Sequence, residues 1–229
     1  MPNSIRDFRD SRGYKTMVFD NAMPAEIADK WLSQRQSVKF FKTKQDRIPM
    51  SFRVHAVNWR ERDSLFSLQD WIEPYIKEWH SDLSASTSFA RSFINLYQKG
   101  DYIKVHADLN ENTFGDEDAY CVAILFLTPD SYIKDSNDCG FVVNNTPETR
   151  DNIIPNKFNR LILMDARSLH EPIVPTDDVQ RLTLYAGYTI SDKLILREDG
   201  PSREARMIEM GMVPGTQYTL QLSDYIFVD

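Results

Sequence analysis

The stretch Tyr97-Gln98-Lys99-Gly100-Asp101-Tyr102-Ile103-Lys104-Val105-His106-Ala107-Asp108 decides how the rest of the chain is read. An apolar, aromatic run breaks at Gly100, resumes briefly, and ends in a histidine and an aspartate two residues apart. On a regular strand, residues i and i+2 share a face, so one strand end can offer an imidazole and a carboxylate to one metal. A second histidine, His170, follows the apolar run Leu161-Ile162-Leu163-Met164-Asp165-Ala166, and Arg181 lies shortly beyond it. Two imidazoles and one carboxylate are the donor set that holds Fe(II) on one face and leaves the opposite positions open. An arginine after the second histidine suits a dicarboxylate, whose two oxygens match the guanidinium fork.

Working outward, the period of the apolar residues changes along the chain. Pro24 opens a helix in which Ala25, Ile27, Ala28, Trp31 and Leu32 recur at helical spacing, over about 24–34. Residues 34–50 read as basic and irregular. Asp63 is the expected N-cap of a second helix, about 63–80, with an apolar stripe through Trp71, Ile72, Tyr75, Ile76 and Trp79 and a kink or split at Pro74. His80, at its end, is expected to complement the helix dipole and to take no part in catalysis. Short pieces at Tyr14–Phe19 and Val54–Trp59 alternate like strands. From residue 88, strands are expected at Phe89–Tyr97, Tyr102–Val105, Tyr120–Leu127, Gly140–Val143, Phe158–Met164 and Arg181–Thr189, all rich in β-branched and aromatic residues. Helices followed by six or more short strands predict a mainly β fold with flanking helices, a sandwich or barrel. No linker or repeat is evident, so one domain over 1–229 is expected. It comprises N-terminal helical support (about 1–87), a core (about 88–190) and a C-terminal extension (about 191–229) with a polar helix at Ser202–Met210 and a strand at Tyr225–Val228. The acidic stretches 111–118 and 130–138 are expected loops beside the site.

Composition sets broad bounds. A net charge of −7 over 229 residues disfavours nucleic acid as a partner. Cys121 and Cys139 lack the close spacing of a zinc site. No apolar run has membrane-spanning length and no leader-like segment follows Met1, so a cytoplasmic protein without membrane attachment is expected.

The quoted stretch resembles the Fe(II)/2-oxoglutarate oxygenase superfamily, most closely its prolyl-4-hydroxylase-like branch, which places a tyrosine nine residues and a glycine six residues before the first iron histidine. Tyr97 and Gly100 occupy those positions. The resemblance continues through Ala123–Leu127, Cys139-Gly140-Phe141, Asn159–Asp165, Ser168–Pro172 and Gln180–Tyr185, covering roughly 88–190. It implies a double-stranded β-helix (jelly-roll) core, with His106, Asp108 and His170 as catalytic iron ligands. Arg181 would pair with the far carboxylate of 2-oxoglutarate, Thr183 would hydrogen-bond beside it, and Tyr97 would donate its hydroxyl. Fe(II), 2-oxoglutarate and O₂ are the implied cofactors, with ascorbate as a candidate reductant. The implied reaction is hydroxylation of an unactivated C–H bond in a peptidyl residue, amino acid or small metabolite, yielding succinate and CO₂. Asp108 is retained where related halogenases carry a small residue, which favours hydroxylation. Arg181 replaces the lysine of many prolyl-4-hydroxylases, and Ile103 replaces a second tyrosine, so a prolyl substrate does not follow. Two rival readings are a non-catalytic jelly-roll binding protein, in which the three residues need not converge, and a cupin-like metal enzyme of another reaction class, which usually supplies more histidines to its metal, where this chain has four in all.

Overall fold

In the computed structural model, every residue of the segment Arg181-Leu-Thr-Leu-Tyr-Ala-Gly-Tyr-Thr189 is buried, although the segment alternates polar and apolar side chains. A strand of this kind needs cover on both faces, and the architecture supplies it. The structure describes residues 4–34, 39–43, 50–51, 53–56, 69–85, 89–103, 105–108, 120–146, 150–189 and 212–219. The strands are β1 (Arg6–Arg9), β2 (Lys15–Phe19), β3 (Lys39–Thr43), β4 (Met50–Ser51), β5 (Arg53–Ala56), β6 (Phe89–Tyr97), β7 (Tyr102–Ile103), β8 (Tyr120–Phe126), β9 (Phe141–Asn144), β10 (Asn152–Ile154), β11 (Leu161–Asp165), β12 (Leu169–Pro172), β13 (Arg181–Thr189) and β14 (Met212–Thr219). The helices are α1 (Ala25–Gln34) and α2 (Gln69–Trp79). Among the described residues, no helix is long and apolar enough to cross a membrane.

A nine-stranded antiparallel sheet runs β1-β2-β11-β8-β13-β6-β5-β3-β14, and a three-stranded sheet runs β10-β9-β12. The large sheet separates two cores. On its outer side, Met17, Phe19, Ile94, Leu96, Leu125, Leu161, Leu163, Leu182 and Leu184 pack with Trp31, Trp71, Ile72 and Ile76 of the helices. On its inner side, Val18, Val122, Ile124, Phe126, Ile162 and Tyr185 meet Phe141, Val143 and Ile154 of the small sheet. Each strand sends alternate residues to each core, as the pleat requires. Two facing antiparallel sheets buttressed by helices on one side form the mainly β, jelly-roll architecture.

Polar contacts anchor the helices as expected of amphipathic aromatics. The Trp31 indole donates to the Leu127 carbonyl at 2.9 Å, and the Tyr75 hydroxyl to the Ala22 carbonyl at 3.0 Å. Helix α2 runs through Pro74 without a split. The ring removes one hydrogen bond, to the carbonyl four residues earlier, and burial of Trp71, Ile72 and Ile76 outweighs that loss.

Two expectations need correction. Part of the segment expected to be irregular forms β3, which pairs with β5 and β14; its lysines disguised a strand. The strand expected from Phe158 begins at Leu161, because Asn159 adopts a left-handed conformation (φ 62°) that cannot continue a ladder. Its side chain instead accepts from the Met23 N–H (2.6 Å) and donates to the Met23 carbonyl (3.0 Å), locking the turn before α1. His170 lies just past β11, in the short strand β12. The expected N-cap Asp63, the 111–118 stretch, Ser202–Met210 and Tyr225–Val228 lie outside the described residues.

Candidate metal centre

Gly100 has φ 86°, a conformation that favours glycine, and it reverses the chain between β6 and β7. The Asp101 N–H donates to the Gln98 carbonyl, and the Asp101 carboxylate accepts from the Gln98 N–H, closing the turn. The reversal delivers His106 to the free edge of β12. There His106 and His170 face each other in an antiparallel bridge, with reciprocal N–H to carbonyl bonds of 3.0 and 2.8 Å. Asp108 is held next door by its own N–H, which donates to the Ala166 carbonyl at 2.8 Å. Backbone pairing therefore brings together residues far apart in sequence.

One ligand atom from each of His106, Asp108 and His170 lies within 4.8 Å of the others, and the trio is able to hold a metal ion. Asp108 Oδ1 is 3.7 Å from His106 Nε2, and Asp108 Oδ2 is 3.8 Å from His170 Nε2. Donors bound at right angles to one divalent ion, each at about 2.1 Å, stand about 3 Å apart, so a small inward movement suffices. The His170 ring is set up to ligate. Its Nδ1 is 2.9 Å from the Ser168 carbonyl. A carbonyl only accepts, so Nδ1 carries the proton and the Nε2 lone pair is left for a metal. Burial, then the neighbouring His106, pulls the His170 pKa down to about 4, against the opposing pull of Asp108. The ring is thus neutral at physiological pH.

Arg181 lies on the inner face of β13, paired in register with Tyr97 of β6. The residue is 1% exposed. Nε donates to the Cys139 carbonyl at 2.8 Å, while Nη2 is buried with no hydrogen-bond partner among the described residues. The rings of Tyr97 and Phe126 lie 5.3 and 5.4 Å from the guanidinium carbon. Burial lowers the arginine's pKa to about 10, which leaves it charged. Burial also raises that of the Tyr97 hydroxyl, with Arg181 opposing. A buried cation with an orphaned N–H costs several kcal/mol unless an anion meets it. That is the environment a carboxylate would complete.

Two residues along β13 from Arg181 lies Thr183, buried on the same face and paired with Asn95. The Asn95 Oδ1 is buried and unpartnered. Next along is Tyr185, whose hydroxyl donates to Asp108 Oδ2 at 3.1 Å. Neither Asn95 nor Tyr185 is among the residues that sequence reading selected. The signal was present: Thr183 and Tyr185 follow Arg181 at a period of two, and Asn95 precedes Tyr97 by two. His80 stays apart, its Nδ1 accepting from the Asp82 N–H at 3.3 Å. Cys121 and Cys139 are free, buried thiols.

No family model matches the chain, and no curated protein matches it in sequence. Solved structures do match. HygX from Streptomyces hygroscopicus, with nickel, 2-oxoglutarate and hygromycin B bound, aligns at 13% identity and TM-score 0.56 over 83% of this chain and 89% of that one. SnoK, a non-heme α-ketoglutarate-dependent carbocyclase from nogalamycin biosynthesis, aligns at 13% identity and TM-score 0.58 over 91% and 93%. A prolyl hydroxylase from Trichoplax adhaerens, complexed with a hypoxia-inducible-factor peptide fragment, aligns at 15% and 0.50 over 76% and 82%. At such identities the likeness is one of architecture: the chain has the fold of the Fe(II)/2-oxoglutarate oxygenases.

Proposed function

We propose that residues 1–229 form a single Fe(II)- and 2-oxoglutarate-dependent dioxygenase domain, with His106, Asp108 and His170 as the iron ligands. The observation that carries this reading is the convergence of two imidazoles and one carboxylate at a strand bridge, with one histidine's Nε2 lone pair left for a metal. The Nη2 of Arg181, buried without a hydrogen-bond partner among the described residues, supports the cosubstrate half. Arg181 receives the distal carboxylate of 2-oxoglutarate, Thr183 hydrogen-bonds beside it, and Tyr97 supplies a buried hydroxyl and a ring against the guanidinium.

Bound Fe(II) would supply activation of O₂ coupled to oxidative decarboxylation of 2-oxoglutarate to succinate and CO₂. The protein contributes position and dryness. Asp108 partly neutralises the metal charge, His170 holds its lone pair in place through Ser168, and the surrounding sheets exclude water from the Arg181 end. The side chain of His106 is 30% exposed, so the centre opens to solvent on that side. A substrate therefore enters beside His106. Its class is a peptidyl residue, an amino acid or a small metabolite, and the outcome is C–H hydroxylation. SnoK is described as a carbocyclase, so the decisive assay reads cosubstrate turnover rather than one product. Succinate should form from 2-oxoglutarate in the presence of Fe(II), O₂ and ascorbate, and candidate substrates should accelerate it. Failure to bind Fe(II) or 2-oxoglutarate, in a folded sample, would overturn the reading.

A further inference from the structure

The turn between β11 and β12 touches the metal trio through its backbone. The peptide joining Ala166 to Arg167 is a single rigid plane, so its carbonyl and its N–H point in fixed, opposite directions. The carbonyl end accepts from the Asp108 N–H at 2.8 Å. The N–H end donates to Asp165 Oδ1 at 2.9 Å. Whatever orients one end of the plane orients the other. We infer that Asp165 is a positioning residue: its carboxylate fixes this peptide plane, and through it the backbone of Asp108 at the metal centre. This role presupposes the metal reading above.

Aspartate suits this place because its short side chain reaches the backbone N–H two residues on. Asp165 is the last residue of β11, and its pairing with Cys121 of β8 sets its own backbone from the large sheet. The buried carboxylate is gripped by the same residue whose N–H it holds. Arg167 Nε donates to Oδ1 at 2.9 Å and Nη2 to Oδ2 at 2.8 Å. The fork thereby fixes the rotation of the carboxylate, and with it the aim of Oδ1. The next peptide is also held at both ends. The Ser168 N–H donates to the Asp165 carbonyl at 3.0 Å, and the Arg167 carbonyl accepts from Arg12 Nη2 at 2.6 Å. The guanidinium carbons of Arg12 and Arg167 lie 4.9 and 4.6 Å from the centre of the Tyr14 ring, so the β1–β2 hairpin braces the turn from outside. His170 is fixed differently, by its reciprocal backbone bonds with His106. Loss of the Asp165 side chain should therefore loosen the Asp108 side of the centre and spare the His170 side. A plain ion pair between Asp165 and Arg167 would have no such selectivity. The two roles separate at asparagine, which keeps the acceptor Oδ1 and loses the charge.

The test uses full-length wild type, Asp165→Ala, Asp165→Asn and the double variant Asp165→Ala/Arg167→Ala, which removes the guanidinium together with its partner should the single alanine variant not fold. Two quantities are measured: amide hydrogen exchange at Asp108 and His170 in the metal-free protein, by NMR, and Co(II) affinity, by calorimetry. In the alanine variants the Asp108 N–H should exchange about 10-fold or more faster than in wild type, while the His170 N–H keeps its wild-type rate. Co(II) should bind them about 10-fold or more weakly. Asp165→Asn should lie closer to wild type than to Asp165→Ala in both measurements. Exchange that rises equally at His170 would mean that the turn loosens as a whole, and it overturns the role. An asparagine variant as impaired as the alanine variant assigns the effect to the ion pair and overturns it too. If wild type binds no Co(II), the metal reading and this inference fall together. If wild type binds Co(II) and the folded alanine variants match it in affinity and exchange, only the role of Asp165 falls.

Discussion

The two faces of β13 differ in kind. The outer face sends Leu182, Leu184 and Ala186 into a core completed by Trp31, Trp71, Ile72 and Ile76. The inner face sends out Arg181, Thr183 and Tyr185: a buried cation, a buried hydroxyl, and a phenol bound to a carboxylate. One face lowers the free energy of folding by removing apolar area from water; the other buries polar groups, at the cost of leaving the Arg181 Nη2 without a hydrogen-bond partner among the described residues. A period of two divides one strand into a stabilising side and a chemical side. Substitutions on the two faces should therefore fail in different assays, and this separation can be tested.

The largest effect is expected from Asp108→Ala. Removing the only carboxylate of the trio should weaken divalent-metal binding by more than about 100-fold, beyond the range seen for outer-sphere changes, and should abolish turnover. The metal-free melting temperature should stay near that of wild type, because Asp108 contributes to the site rather than to either apolar core. Metal titration and thermal unfolding on one preparation check both halves. A variant that unfolds, instead of merely losing metal, would break the division between faces.

Ile76→Ala tests the other side. Ile76 is fully buried between α2 and the outer face. Its truncation should cost about 2–5 kcal/mol, a fall in melting temperature of roughly 5–15 °C for a chain of this size. At a temperature where the variant remains folded, its metal affinity should match that of wild type. Loss of metal binding there would show that the helical layer tunes the site.

Arg181 sharpens the comparison because one residue should move the two assays in opposite directions. Arg181→Met keeps the length of the side chain and removes the charge. Binding of 2-oxoglutarate should weaken about 10- to 100-fold, the worth of charge-assisted hydrogen bonds. Stability in the absence of cosubstrate should hold or rise, because replacing a buried ion with an apolar side chain is often neutral or favourable. Arg181→Lys should also raise the cosubstrate requirement, since a point charge replaces a fork. Titration with 2-oxoglutarate, paired with melting curves, reads both effects. Unchanged binding would refute the cosubstrate role.

What could be read from the sequence follows the same division. The outer stripes were legible because helical and two-residue periods record burial directly: Trp31, Trp71, Ile72 and Ile76 pack where their spacing places them. The convergence of His106, Asp108 and His170 was legible because two imidazoles and a carboxylate form a metal donor set, and the structure brings the three together. Tyr185 and Asn95 were only half legible: a period of two puts them on the face of Arg181 and Tyr97, but register is needed to show what lies opposite. The β3–β14 pairing was hidden for a related reason. Its partners come from opposite ends of the chain, and Lys-Phe-Phe-Lys-Thr and Met-Val-Pro-Gly-Thr-Gln-Tyr-Thr have no local signal that they pair. Local pattern reports burial, while partner choice is a property of the whole fold.

The smallest effect is expected from a residue that belongs to neither face. Asp20 ends β2's run and accepts from Arg160 at 2.7 and 3.2 Å and from Lys157 at 2.8 Å, linking β2 to the approach to β11. Burial alone would raise its carboxyl's pKa, but the hydrogen bonds and charges of Arg160 and Lys157 together outweigh burial and lower it. A carboxyl whose pKa is lower in the folded state than its unfolded value of about 3.9 stabilises the fold fully above that value. The contribution fades as pH falls through the folded value, where both states become protonated. Asp20→Asn should therefore cost about 1 kcal/mol at neutral pH, the scale of a partly exposed ion pair. The gap to wild type should narrow as pH falls below about 4, and metal and cosubstrate affinities should not change. Denaturant unfolding of both proteins from neutral to acid pH measures the gap. A difference that stays constant down the series would mean that Asp20 acts through hydrogen-bond geometry and not through charge. A change in metal affinity would mean that the strand register it pins reaches the site.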